Sequence, residues 1–347
     1  MSYQSNAWMK KYEIKEPDLD FIERSHPSLE EVSMEPERYT LKKKYWTKKN
    51  KTRKLFEKKP VTILFTGDIT CFDKQFEAAK TESGYDFTYE FDLMKPIFAQ
   101  ADLVVGNMET VLCSYAPYRS EKVVIEENFY CNAPLDFLDA VKKSGIDVLT
   151  NSNNHDIDAG AIGLGETIDN LENFGFIHTG TFKDDRRRYE LIDVEGYKVA
   201  ITAFATDHNA LSCNITEEGQ KAMLSDYSKE AAQAIISGAR ADGAETVIAC
   251  IHWGKENKTE VHQDQYRIGQ ELADMGYDCI IGSHPHVLQK YSTIKSGSRD
   301  VPVFYSLGNY VSTHFPRCYS SNIISYSSLA SNLNSTFMFR IWDSLCA

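Results

Sequence analysis

Side chains that can bind a metal ion or move a proton recur in this sequence, each directly after an apolar run that reads as a β-strand. They are Asp68, Glu109, Asn154 with His155, His252, and His284 with His286. Carboxylates, an amide and imidazoles together suit Mn, Fe or Zn better than Mg alone. Two such ions about 3.5–4 Å apart could share a carboxylate. A turn or a structural histidine explains each stretch alone, but the whole ordered set favours a metal site.

A regular alternation of strands and helices from residue 61 onward positions these groups. The runs VTILFTGD (61–68) and ADLVVGNMET (101–110) predict buried strands, and LDFLDAVKKSG (135–145) and AIGLGETIDNLENF (161–174) have helical apolar spacing. YELIDVEGYKVAITAF (189–204) predicts a hairpin that turns at Glu195-Gly196. This order indicates an α/β domain with a largely parallel sheet, in which ligands bind at the carboxyl ends of the strands.

Composition narrows the class of protein. The chain has 347 residues, of which 42% are hydrophobic and 25% charged, as in ordinary folded proteins. Its formal net charge of -12 argues against a general affinity for nucleic acid. No uncharged apolar run approaches the roughly 18 residues of a membrane span. The eight cysteines form no CxxC pair, and several lie in apolar runs, so we expect reduced thiols and a cytoplasmic location.

Both ends of the chain differ from the central domain, which we place at residues 61–315. Residues 1–60 read as a basic appendage or linker, since residues 38–59 hold eleven Lys and Arg against Glu57 alone. This stretch could touch anionic lipid or nucleic acid, but a solvated connector is the favoured interpretation. Residues 316–347 form a Ser-rich tail without clean periodicity, to which we assign no structure. We suspect that this tail is diverged, truncated or frame-shifted.

Six motifs in this order carry a family resemblance. They are TGDIT (66–70), GNMET (106–110), NNHDIDAG (153–160), HWG (252–254), GSHPHVLQ (282–289) and FYSLGNYV (304–311). The chain resembles the CapA-like proteins of poly-γ-glutamate capsule synthesis, a branch of the calcineurin-like metallophosphoesterase superfamily. The resemblance implies a four-layer α/β/β/α sandwich with mixed, partly parallel sheets and a centre of two divalent metals. The implied ligands are Asp68, Glu109, Asn154, His252, His284 and His286.

Two departures from the superfamily pattern bear on the metal centre. Thr70 stands where the superfamily usually has a histidine, and Asn107 stands where it usually has an aspartate. We therefore predict Glu109 as the acidic ligand, with Asn107 as a weaker candidate. The departures leave open whether both metal positions fill without substrate.

The residue types around the implied centre suggest a mechanism. A protonated His155 could donate a proton to the leaving oxygen, and Asp156 could hold the His155 ring in the right tautomer. Asp158 is predicted to cap the following helix. Weaker candidates for contact with substrate are Asn107, Asp207, His208 and Asn309.

Three functions remain open at this stage. The first is a metal-dependent, phosphoesterase-like hydrolase that acts on a small molecule or polymer through a metal-activated water, with manganese as one candidate metal. The second is a non-hydrolytic component of poly-γ-glutamate synthesis or export, working with capsule-synthesis partners. The third is a metal-binding protein that has lost catalysis along with the missing histidine. Exporters of this branch are expected to be membrane-tethered, and the sequence has no apparent tether, which favours the first function.

Overall fold

A computed structural model describes residues 60–118, 131–184, 187–209 and 215–313, together with the backbone of strands 322–329 and 336–343. The predictions for the basic stretch 38–59 lie outside these residues.

The first sheet has seven strands and is parallel at its centre. Its members are β1 (Val61–Ile69), β2 (Leu103–Met108), β3 (Val148–Thr150), β4 (Ile177–Thr179), β11 (Asn309–Val311), β12 (Asn322–Leu329) and β13 (Thr336–Asp343). The order is β13-β12-β1-β2-β3-β4, and β11 pairs with the end of β1. Strands β1 to β4 and β11 run parallel, whereas β12 and β13 add an antiparallel flank.

The second sheet has six strands in the order β5-β6-β7-β8-β10-β9. They are β5 (Glu190–Val194), β6 (Tyr197–Ala205), β7 (Thr246–His252), β8 (Cys279–Ser283), β9 (Tyr291–Ser296) and β10 (Arg299–Phe304). The inner strands are parallel and both edges are antiparallel. The predicted hairpin is confirmed, since Glu195 and Gly196 connect β5 and β6 with positive φ angles of 50° and 90°.

The helices follow the apolar spacing of the sequence. The α-helices of the described residues are α1 (Asp73–Ala79), α2 (Lys95–Phe98), α3 (Leu135–Ser144), α4 (Gly160–Asn173), α5 (Glu217–Met223), α6 (Lys229–Ala241) and α7 (Gln263–Met275), and short 3₁₀ helices span Thr88–Glu90 and Asp92–Met94. In α3, Phe137, Leu138 and Val141 are buried on one face, and the helix stops at Gly145, which adopts the left-handed φ of 104°. Ser228 caps α6 by accepting a hydrogen bond from the amide of Ala231.

Alternating side chains of the strands build three apolar layers. Phe65 and Ile201 belong to a cluster shared by both sheets, so the sheets pack face to face. On the opposite face of the first sheet, Leu64 packs in a cluster with Phe137 of α3. The outer face of the second sheet packs with α6 and α7, for example through Leu272. The predicted four-layer α/β/β/α sandwich is therefore confirmed.

The Ser-rich tail contains structure that the sequence did not predict. Strand β12 pairs antiparallel with β1, so that Val61 lies opposite Ser328 and Phe65 lies opposite Ile324. Strand β13 in turn pairs with β12. We left residues 316–347 without an assignment, and the structure forms these two strands there. Pairing with β1 accounts for the extended conformation of β12, whereas its serine-rich sequence lacks the alternation of apolar and polar residues that predicts a strand.

Within the part of the chain that the structure describes, no helix combines the length and the apolar character needed to cross a membrane.

Candidate metal centre

The parallel strands of both sheets bring the six predicted ligands to one edge of the sandwich. Asp68 lies near the end of β1 and Glu109 follows the last residue of β2. Asn154 lies in the loop after β3, and His252 is the last residue of β7. The two remaining histidines follow β8. Each sheet thus contributes donors to a common centre, as expected for carboxyl ends of parallel strands.

Glu109 occupies the middle of this centre. Its side chain is fully buried, and neither carboxylate oxygen has a hydrogen-bond partner among the described residues. Oε1 lies 3.5 Å from His252 Nε2 and also 3.5 Å from His286 Nε2. Burial raises the pKa of Glu109 to about 8, although His286 opposes the rise. A buried carboxylate without donors is costly unless a cation compensates it, so Glu109 is a candidate metal ligand.

One group of donors joins Glu109 with His252 and His284, whose ligand atoms lie within 4.8 Å of one another. His252 Nε2 lies 2.8 Å from Asn154 Oδ1 and 3.0 Å from His284 Nδ1. The other ring nitrogen of His252 is 2.9 Å from Ser283 Oγ, which aims Nε2 into the group. Burial and the neighbouring His284 hold the pKa of His252 well below its ordinary value, and burial with His286 lowers the pKa of His284 to about 4. Both rings are therefore in the neutral form that binds metals.

The second group joins Glu109 with Asp68 and His286. His286 Nδ1 lies 3.3 Å from Asp68 Oδ2 and 2.8 Å from Asn309 Oδ1. Burial lowers the pKa of His286, but Glu109 and Asp68 outweigh it and raise the pKa to about 10. Asn107 Nδ2 donates to Asp68 Oδ1 at 2.8 Å. Asn107 and Asn309, both predicted as contacts for substrate, thus each hold a residue of this group.

The backbone of the His-Pro-His loop is unusual. His284 and His286 adopt φ angles of 94° and 57°, a region that costs a non-glycine residue about 1–3 kcal/mol. The amide of His284 donates to Asp68 Oδ2 at 3.3 Å, which ties the loop to the first sheet. Strain of this kind persists only where surrounding contacts impose it, so the loop holds both rings at the centre.

His155 is paired with a different carboxylate from the one predicted. Its Nδ1 lies 2.7 Å from Asp158 Oδ2, which also accepts the amide of Cys131 at 2.8 Å. The prediction that Asp158 caps the next helix is wrong, because Ala159 occupies the N-cap of α4 without a side-chain cap. The prediction that Asp156 orients His155 is also wrong. The 153–158 loop is a run of turns, which brings the carboxylate three residues on, not the adjacent one, to the ring.

The cluster of Cys131, His155 and Asp158 is buried, and its potential ligand atoms also lie within 4.8 Å of one another. Burial lowers the pKa of His155, but Cys131 and Asp158 outweigh it and hold the pKa well above its ordinary value. This shift favours the protonated ring, the form that a proton donor requires. Sequence reasoning missed Asp158 and Cys131 as partners of this ring. The i, i+3 spacing of His155 and Asp158 was the only available signal.

His208 is engaged on both ring nitrogens, and its predicted contact with substrate stays a prediction. Nδ1 lies 2.8 Å from Asp156 Oδ1, and Nε2 lies 2.6 Å from Asp226 Oδ1. Asp207 is exposed and accepts the amide of His208 at 2.9 Å, so its contact with substrate stays a prediction.

Thr70, at the position where a histidine was expected, is fully buried and donates through Oγ1 to the carbonyl of Val311 at 3.3 Å. This contact connects β1 to the end of β11. The second group of donors consequently has no imidazole from this position.

Comparison with known proteins agrees with the motifs. The model of the family described as "Bacterial capsule synthesis protein PGA_cap" matches residues 62–314. The capsule biosynthesis protein CapA of Bacillus anthracis is 29% identical over 260 residues, which are 74% of this chain and 60% of that protein. The PGA biosynthesis protein CapA of Bacillus subtilis strain 168 is 25% identical over 271 residues, 77% of this chain and 67% of that protein. The chain thus spans about two thirds or less of each relative's length.

Solved structures with a similar fold have low sequence identity. The calcineurin-like phosphoesterase YfkN from Bacillus subtilis is 14% identical, with a TM-score of 0.47 over 82% of this chain and 90% of that chain. The sulfate thiohydrolase SoxB from Thermus thermophilus is 13% identical, with a TM-score of 0.45 over 81% of this chain and 56% of that chain. The assignment to a family rests on the sequence match, which covers most of the chain. This protein belongs to the PGA_cap family of bacterial capsule synthesis proteins, and the resemblance to the CapA-like proteins is confirmed.

Proposed function

We propose that this protein is a metal-dependent hydrolase of phosphoester-type bonds that serves the synthesis of a capsule polymer. The observation that carries the proposal is Glu109, a fully buried carboxylate that has no hydrogen-bond donor among the described residues and belongs to two groups of potential metal ligands. A purely structural carboxylate would be paired at such a depth. The oxygen and nitrogen donors suit Mn, Fe or Zn.

Two divalent ions fit these donors. One would be held by Glu109, Asn154, His252 and His284, and the other by Asp68, Glu109 and His286. When bound, such ions lower the pKa of water toward neutrality and neutralise charge on the phosphoryl oxygens. His155 holds a proton against Asp158 and donates it to the leaving oxygen. Asp158 fixes the tautomer and the orientation of that ring.

The role in capsule synthesis is inferred for this chain from the names of its two relatives. Both are named for capsule or PGA biosynthesis, so we propose the polymer or one of its precursors as the substrate. The cytoplasmic location remains a prediction of the sequence. Thr70 favours one competing function, a metal-binding protein without catalysis, because it replaces an expected imidazole by a hydroxyl that is already bonded to Val311.

Metal content and turnover, measured together, test the proposal. Purified protein is analysed for Mn, Fe and Zn per chain and is assayed with a panel of phosphomonoesters and phosphodiesters. We expect His155→Ala to lower turnover by about 10²–10⁴-fold without loss of metal, since it removes general acid catalysis. His178→Ala is the matched control, because His178 is about as buried as His155, at 6% against 8% exposed, but lies in β4 outside the centre.

Three results would contradict the proposal. The centre is refuted if fewer than one tight metal binds per chain. The mechanism is refuted if His155→Ala and the wild type turn over alike. Tight metal binding without turnover on the panel or on the capsule polymer would establish the non-catalytic function instead.

A further inference from the structure

His208 lies between two carboxylates that come from different parts of the chain. Its side chain is 2% exposed, as against 1% for Asp156 and 45% for Asp226. Asp226 is held in turn by Gln220 Nε2 at 2.7 Å. The ring therefore links the buried 153–158 loop to the half-exposed surface beside α5. Hydrogen bonds between ionised partners are the strong ones, and this ring makes two.

The backbone beside His208 contacts two of the proposed metal ligands. The amide of Asn209 donates to the carbonyl of Asn154 at 2.9 Å. Thr206 donates to the carbonyl of His252 twice, through its amide at 3.0 Å and through Oγ1 at 3.2 Å. The 206–209 segment thus holds one ligand from the loop of the first sheet and another from the end of a strand in the second sheet.

The position of these two ligands relative to each other matters for metal binding. Asn154 Oδ1 and His252 Nε2 are only 2.8 Å apart, although Asn154 lies in a loop of the first sheet and His252 in a strand of the second. A shift of the 153–158 loop would separate them. The contact between His208 and Asp156 joins that loop to the segment that also holds His252.

We propose that His208 is a positioning residue of the metal centre, which fixes Asn154 beside His252 by joining the 153–158 loop to the 206–209 segment. The inference rests on the metal centre of the proposed function but not on its turnover. Without His208, Asp156 would remain buried, and the amide of Asn153 at 3.3 Å would be its one remaining donor among the described residues. An underpaired buried carboxylate draws in water or moves outward, and either change displaces the loop.

Manganese affinity tests the inference, because it can be read without any substrate. Mn²⁺ is titrated into metal-free protein, and the free ion is followed by electron paramagnetic resonance. We expect His208→Gln to weaken one Mn²⁺ site by about tenfold, the usual effect of losing a residue that orients a ligand. His178→Gln serves as the control for loss of a buried histidine and should bind as the wild type does. Thermal unfolding shows that each variant is folded.

A double-mutant cycle separates positioning from a general loss of stability. In Asn154→Ala protein, adding His208→Gln should cost no further affinity, since the ligand through which His208 acts is already gone. If His208→Gln fails to fold, Asp226→Asn replaces it, because that change weakens the hydrogen bond at the half-exposed end of the link. We expect Asp226→Asn to lower Mn²⁺ affinity about two- to threefold, and this loss should disappear in Asn154→Ala protein.

The other possible results would refute the positioning role, the proposed hydrolysis or both. Wild-type affinity in His208→Gln, or full additivity with Asn154→Ala, refutes the positioning role. An equal loss in His178→Gln refutes it as well. Mn²⁺ binding that responds as expected in a protein without turnover retains the positioning role and refutes only the proposed hydrolysis. A wild type that binds no Mn²⁺ refutes both.

Discussion

Replacing Glu109 by glutamine should change stability in opposite directions with and without metal. The carboxyl is fully buried, and its pKa rises from 4.5 to about 8. At 1.36 kcal/mol per pH unit, holding this group ionised in the metal-free protein costs up to about 5 kcal/mol. The folded state binds the extra proton, so the stability of the wild type falls as the pH rises from 4.5 to about 8. Glutamine has no charge, so a Glu109→Gln variant does not lose this stability as the pH rises.

We therefore expect metal-free Glu109→Gln at pH 8.5 to be more stable than the wild type by about 1–3 kcal/mol. The gain is smaller than the full cost because the amide also lacks partners in this pocket. Excess Mn²⁺ should reverse the order, since only the wild type keeps the bridging carboxylate and gains stability by binding the ion. Urea denaturation with EDTA or with Mn²⁺ measures both differences.

Glu90→Gln provides the matched control. Burial also raises the pKa of Glu90, but this residue bonds Gln75 and Tyr89 away from the metal centre. Its substitution should shift stability equally with and without Mn²⁺. If Glu109→Gln is less stable than the wild type under both conditions, or if Mn²⁺ stabilises both proteins equally, then Glu109 is not a bridging ligand.

Two further predictions concern the carboxylates around the histidines. Asp158→Asn should lower turnover at least about tenfold while Mn²⁺ affinity stays within twofold of the wild type, because Asp158 orients the proton donor His155 and does not contact a proposed ligand. Single-turnover rates equal to those of the wild type would contradict this prediction. His208, whose pKa Asp156 and Asp226 raise to about 10 despite burial, should stabilise the fold fully below pH 6.5 and lose this contribution as the pH rises to about 10. The stability deficit of His208→Gln should shrink over that range in urea titrations, and a deficit independent of pH would refute the charged pairing.

The positions of the proposed ligands could be predicted because the carboxyl ends of parallel strands meet at one edge. A polar residue after a buried strand, such as Glu109 after β2 or His252 at the end of β7, is placed by topology alone. Helix α3 and the hairpin at Glu195-Gly196 could be predicted because glycine and apolar spacing act locally. These features could be predicted without knowing which residues far along the chain would contact them.

The pairing within the 153–158 loop could not be predicted in the same way. Whether Asp156 or Asp158 reaches His155 depends on the backbone angles of successive turns, and the spacing alone allows both. The role of His208 depends on Asp226, a partner 18 residues away that no local pattern marks. Strand β12 was missed for a related reason, since its definition comes from β1 at the other end of the domain.

The residues that complete the centre are synthesised at widely separated times, because they lie far apart along the chain. Strand β1, which carries Asp68, acquires its neighbours β11 and β12 only from the last part of the chain. The donors of the centre likewise extend from residue 68 to the His-Pro-His loop, and Asn309 holds that loop from β11. The ribosome must therefore release almost the entire domain before the ligands can meet. The proposed centre is consequently complete only after almost the whole domain has been synthesised, so the ions proposed for it would bind late in folding.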